Sequence, residues 1–199
     1  MPPDTGPGVL PLAVTDELAA LAETAVSRIE HGDGEFVVLE LAPRLLELIV
    51  RMQAIEPPVD CDADTVDHVC RVACFMLRGA PPVPSPSPSR TLALRLLCRL
   101  GRTHASAALE ASRHLLGRDV ADIRAELLLR ASRAGLADAH WAIAQLLMDG
   151  APHATERIVH WVTRAADGGV AEARAWLIEY YADQNDATRA FECALRRST

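Results

Sequence analysis

LLLRASRAGLADA, from Leu127 to Ala139, and WVTRAADGGVAEA, from Trp161 to Ala173, are one pattern written twice, 34 residues apart. Arg130, Ala131, Ser132 and Gly135 answer to Arg164, Ala165, Ala166 and Gly169. The match runs past the glycines. Gly135-Leu136-Ala137-Asp138-Ala139 returns as Gly169-Val170-Ala171-Glu172-Ala173, then Ile143 answers to Leu177 and Leu147 to Tyr181. A fixed period near 34 with small residues at set offsets predicts an all-α fold, a helix-turn-helix solenoid. Such arrays commonly bind other proteins.

The offsets have a physical cause. Ala139, Ile143, Leu147 and Gly150 step by four, four and three, so they share one face of one helix. Alanines on that face let a neighbouring helix come close. Gly135, Gly150 and Gly169 end helical patterns, where a residue at positive φ is often needed. A second helix, 156–167, carries Ile158, Trp161 and Ala165 on one face. One such pair cannot bury its apolar face alone and needs stacked neighbours.

These residues resemble the Sel1-like repeat, a relative of the tetratricopeptide repeat. Its first helix reads A-x-x-x-L-G/A-x-x-Y/L-x-x-G, met by Ala139, Ile143, Ala144, Leu147 and Gly150. Its second reads W-x-x-K-A-A-x-x-G, met by Trp161, Arg164, Ala165, Ala166 and Gly169, with Arg for Lys. The following unit keeps Ala173, Leu177, Ile178 and Tyr181 but has Gln184 for the glycine. A preceding echo at Gly101, Ala105 and Leu109 has Glu110 and Arg113 where small and aromatic residues belong. The resemblance spans roughly 92–196 and is strongest over about one and a half units. It implies an adaptor that holds a partner in a concave groove lined by each unit's first helix. With Ala137 as position one of a tetratricopeptide-like frame, the implied groove residues are Asp138, Trp141, Gln145 and Met148. The next unit adds Glu172, Ala175 and Glu179, and the preceding one His104 and Ala107. A Trp and a Met amid carboxylates suit a basic amphipathic peptide or helix. Trp141 could instead pack against a neighbouring helix, whereas the repeat puts Trp161 and Trp176 on packing faces.

Composition narrows the classes. Half of the 199 residues are hydrophobic but only 4% are aromatic, so the core must be Ala, Leu and Val, which suits close helix packing. The net charge of −7 argues against a nucleic-acid partner, which wants a basic stripe. Lysine is absent and Asn185 is the only asparagine. The simplest cause is GC-rich coding, as in a high-GC bacterium; escape from lysine-directed tagging is the other. No apolar run approaches the roughly 20 residues of a membrane span. Met1 to Gly8 lacks the positive start of a signal peptide, so a cytoplasmic location is expected. Five cysteines, Cys61, Cys70, Cys74, Cys98 and Cys193, then read as free thiols on buried faces.

The chain divides into a disordered tail (1–13), an N-terminal helical region (14–78), a Pro/Ser-rich linker (79–90) and the repeat domain (91–199). In the N-terminal region Thr15 is the expected cap of a helix with Leu18, Leu21, Ala22, Ala25 and Ile29 on one face. Phe36 to Leu39 fits a short strand or the start of the next helix. Leu45 to Ile55 reads as helix, with Pro43 in its first turn and Glu56-Pro57-Pro58 as its stop. Asp62 or Asp64 can cap a helix through Leu77. Gly79 to Ser89 reads as an extended polyproline-like spacer. Further helices are expected near 91–100, 103–116, 119–134, 137–149, 154–167, 170–183 and 185–196.

No catalytic set is legible, and neither enzyme activity nor a cofactor is expected. There is no Gly-rich phosphate loop, HExxH or GxSxG. Asp60-x-Asp62-x-Asp64 starts like a calcium loop, but Thr65 replaces the turn glycine and Arg71 the bidentate Glu. Cys61, His68, Cys70 and Cys74 offer four zinc-ligand types. On one helix, however, His68 lies roughly 200° from Cys70, so no structural metal is expected. His153 and His160 read as a solvated face. The alternative to an adaptor is a transcriptional regulator, acting on DNA or by sequestering another factor. Its only candidate recognition segment is 90–102, with Arg90, Arg95, Arg99 and Arg102.

Overall fold

A computed structural model describes residues 9–54, 61–78 and 88–195. Every regular element among the described residues is helical and none is a strand. The chain divides into two compact units between His114 and Leu115.

In the first unit, α1 spans Val9–Glu30. It starts earlier than the sequence suggests: 9–13 is helical rather than disordered, and Thr15 lies inside the helix instead of capping it. Pro11 is tolerated because it falls in the first turn, where backbone N–H groups have no intrahelical partner. Residues 1–8 lie outside the described residues. Phe36 to Leu39 is helix. It belongs to a continuous run of α2 (Gly34–Phe36), a π-helical turn (Val37–Leu41) and α3 (Ala42–Gln53). Pro43 sits in the first turn of α3. The expected stop at 56–58 lies outside the described residues.

Helix α4, Ala63–Arg78, is capped by Asp62. One carboxylate oxygen accepts the Thr65 backbone N–H at 2.8 Å and the other accepts the Thr65 hydroxyl at 2.6 Å. Those bonds, the hydroxyl's first, hold the Asp62 carboxyl below its ordinary value. A depressed folded-state pKa gives stability that is present above the usual carboxylate value and lost as pH falls from there through the depressed folded value. Asp62→Ala is therefore expected to cost about 1 kcal/mol at neutral pH and far less in acid. Thermal melts at about pH 7 and about pH 3 check this, with an equal loss at both counting against the cap.

Residues 88–90, expected in the linker, form the first turn of α5 (Pro88–Leu100), where a proline's missing N–H costs nothing. Residues 79–87 lie outside the described residues. Helix α6 follows at Ala105–His114. Both stand in the first unit rather than with the later helices. The buried face of α5, Ala93, Leu96, Leu97 and Leu100, packs where α5 meets α3, α4 and α6, while α1 packs on α3 and α4. Gln53 fastens α3 to α5 by donating its side-chain N–H to the Arg99 carbonyl at 2.7 Å. Gly101 does not take a positive φ, so the weak echo at 101–109 is not built around the same turn.

The second unit opens with a 3₁₀ turn (Arg118–Val120) and continues through α7 (Ala121–Arg133), α8 (Ala137–Gly150), α9 (Thr155–Asp167), α10 (Ala171–Asp183) and α11 (Ala187–Leu195). Each of these helices packs on the next. The 34-residue period is visible in the backbone. Ala134 and Gly168 have φ, ψ of −78°, 0° and −83°, 5°. Gly135 and Gly169 follow at φ +85° and +95°. Leu136 and Val170 then turn out at −69°, 114° and −70°, 113°. The hydrogen bonds match as well: Gly135 N–H to Ser132 O and Leu136 N–H to Ala131 O, against Gly169 to Ala166 and Val170 to Ala165. A left-handed residue with this pair of bonds satisfies carbonyls that a helix end leaves unpaired.

Between α10 and α11 the same turn is made by Asn185 at φ +55°, with Asn185 N–H to Ala182 O and Asp186 N–H to Tyr181 O. Asparagine tolerates that conformation better than other side-chain-bearing residues. Gly150 departs from expectation. It ends α8 without a positive φ, and Ala151 turns the chain instead at φ −148°. The unit's core gathers Ala144, Ile158, Val162, Ala165, Ala173 and Leu177.

Candidate functional site

The first unit holds an open cleft of about 740 Å³. Helix α4 presents Asp67, the adjacent Cys70 and Arg71, Cys74 and Arg78 to it, successive turns of one face. Helix α6 brings Ser106, Glu110 and Arg113 at the same helical spacing, and α1 adds Val26 and Ile29. Where α4 meets α6, the Cys74 thiol donates to Glu110 Oε1 at 3.3 Å. His114 Nε2 lies 3.2 Å from that same oxygen. Arg113 donates to the other carboxylate oxygen, Oε2, at 2.9 Å. Arg71 is paired with Glu30 at 2.7 Å.

Burial pushes the Cys70 thiol up to about 12, with Cys74, Glu110 and Asp67 adding to it. Burial likewise lifts Cys74 to about 12, together with the charge and hydrogen bond of Glu110, against the pull of Arg78 and Arg113. Burial also works against the Glu110 anion. The hydrogen bonds from Cys74 and His114 and the charge of Arg113 outweigh it and hold the carboxyl below its usual range. Thiols this reluctant to ionise make poor nucleophiles at neutral pH. The cleft therefore offers sulfur, oxygen and nitrogen donors rather than an activated cysteine.

The structure separates the four ligand types that the sequence places close together. Cys70 and Cys74 line the cleft, whereas Cys61 lines a small cavity with Ile49, Met52 and His104. His68 is half-buried elsewhere on α4. Of the five cysteines only Cys193 is buried, and the other four are half-buried. Sequence reading missed Glu110 and His114 as companions of Cys74. The signal was a Glu-x₃-His spacing on one helix and a Cys-x₃-Cys spacing on another, each of which puts its pair on one face.

The implied groove residues fall in both units. His104 lies in the turn before α6 in the first unit, half-buried. Ala107, expected to face a groove, is fully buried because α6 turns that side onto its neighbours. The other groove residues are on α8 and α10. Asp138, Gln145, Glu172, Ala175 and Glu179 are exposed. Trp141 and Met148 are half-buried and pack against the core cluster, as do Trp161 and Trp176. The Trp161 ring lies 5.6 Å from His140 and under the Arg164 guanidinium at 5.8 Å, while Trp176 stacks on Tyr180 at 5.1 Å. His153 and His160 are exposed. Of the arginines in 90–102, Arg95 and Arg102 are exposed, and Arg90 and Arg99 are half-buried.

No family model, curated protein or solved structure matches this chain. No helix among the described residues is long and apolar enough to cross a membrane.

Proposed function

We propose that the second unit is a short Sel1-like helical-repeat solenoid and that the chain serves as a cytoplasmic protein-interaction module or regulatory adaptor. One observation carries the reading: residues 134–136 and 168–170 share the same three backbone conformations and the same two hydrogen bonds, 34 residues apart. Packing of each helix on the next from α7 to α11 supports it, since repeat arrays are built from nearest-neighbour contacts. The partner surface would be the exposed positions of α8 and α10, Asp138, Gln145, Glu172 and Glu179, with the half-buried Trp141 and Met148 as its apolar part. Carboxylates around an aromatic and a methionine favour a basic amphipathic helix or peptide.

Because Trp141 also packs on the core, its truncation mixes binding with stability. The exposed residues give the cleaner test. A variant carrying Gln145→Arg, Glu172→Arg and Glu179→Arg is expected to melt with the wild type and to lose the basic partner in affinity capture from the native cell. Capture of the same proteins by both would reject this surface.

A further inference from the structure

We propose that Cys74, Glu110 and His114 form a binding site for one zinc-class divalent ion at the junction of α4 and α6, independent of any partner surface on the second unit. Their donor atoms all lie within 4.8 Å of one another. Glu110 Oε1 stands 3.3 Å from Cys74 Sγ and 3.2 Å from His114 Nε2. Donors around a tetrahedral zinc ion, with bonds of about 2.0–2.3 Å, are separated by roughly 3.3–3.8 Å. These two separations are therefore close to those a bound ion needs.

The donor set selects the metal class. One thiolate, one imidazole and one carboxylate suit zinc and its borderline neighbours, whereas calcium and magnesium want oxygen alone. The outer contacts fit as well. Arg113 holds Glu110 by Oε2, which orients the carboxylate and leaves Oε1 turned toward Cys74 and His114. Three protein ligands leave a fourth position for water, and two of them, Cys74 and Glu110, line the open cleft of about 740 Å³. On binding, the Cys74 S–H bond is exchanged for a sulfur–metal bond, and the proton leaves to solvent. The single-helix geometry that argued against a metal does not apply, because Cys74 meets its partners from a second helix.

Cobalt titration of the full chain, purified reduced and freed of metal by a chelator, tests the site. The expected result is saturation at one equivalent, with tetrahedral d–d absorption and a thiolate-to-cobalt charge-transfer band, both displaced by one equivalent of zinc. Cys74→Ser should lose the charge-transfer band and His114→Ala should bind roughly 10-fold or more weakly. Cys98→Ser, whose thiol is outside the cleft, should behave as wild type. Absence of saturable cobalt binding by the wild-type chain overturns the proposal whether or not the variants fold. So does a charge-transfer band that survives Cys74→Ser or disappears in Cys98→Ser.

Discussion

Leu177→Ala is expected to lower the stability of the second unit by about 2–5 kcal/mol. Leu177 is 2% exposed and belongs to the cluster that joins α8, α9 and α10. Cutting it to alanine removes three carbons from a cluster whose other members, Val162, Ala165 and Ala173 among them, are mostly small. Its counterpart one period earlier, Ile143, is only half-buried, so Ile143→Ala should cost clearly less. The chain has two compact units, so the loss is best read where it occurs. Amide hydrogen exchange across α9 and α10 should accelerate strongly, and the urea midpoint of the second unit should fall. Unchanged exchange in Leu177→Ala would mean that the repeat register assigns the wrong residues to the core.

The repeat made much of this unit legible in advance. The ends of α8, α9 and α10 fall within a residue or two of the positions that the period and its glycines predict. The reason is local for the turns after α7, α9 and α10: each is dictated by one left-handed residue and the bonds it allows, whereas α8 ends without one. Asn185 is the exception that explains itself, since Gln184 in the motif position hid the residue that turns the chain. The first unit was less legible. Its early helix start at Val9 and the π-helical turn at Val37–Leu41 carry no strong local signal. The cleft was out of reach for another reason. Cys74 lies 36 residues from Glu110, and only the packing of α4 on α6 brings them together. Burial of Trp141 was likewise a tertiary matter, because a helix face shows which residues align but not how deeply a neighbour covers them.

Gly168→Ala is expected to cost about 1–3 kcal/mol, although the repeat motif gives that position no weight. The motif points to Gly169, whose φ of +95° disfavours any side chain. Gly168 has φ −83°, which alanine adopts freely, so any loss there is steric. A methyl group at Gly168 would lie 2.4 Å from the Ala137 Cβ and 3.4 Å from its Cα. Neither atom is the end of a flexible chain, so α8 and the end of α9 would have to move apart. Ala165, one turn earlier on α9 and fully buried, should resist enlargement for the same reason, and Ala165→Leu should fall in the same range. A double-mutant cycle isolates the contact. Ala137→Gly alone weakens α8 by up to about 1 kcal/mol through lost helix propensity. Combined with Gly168→Ala it removes the atom that the new methyl meets, so the pair should lose less than the sum of the two single changes. Simple additivity in thermal melts would show that α8 and α9 do not approach at Ala137 and Gly168. The tight stacking on which a repeat array depends would then be missing at its best-matched junction.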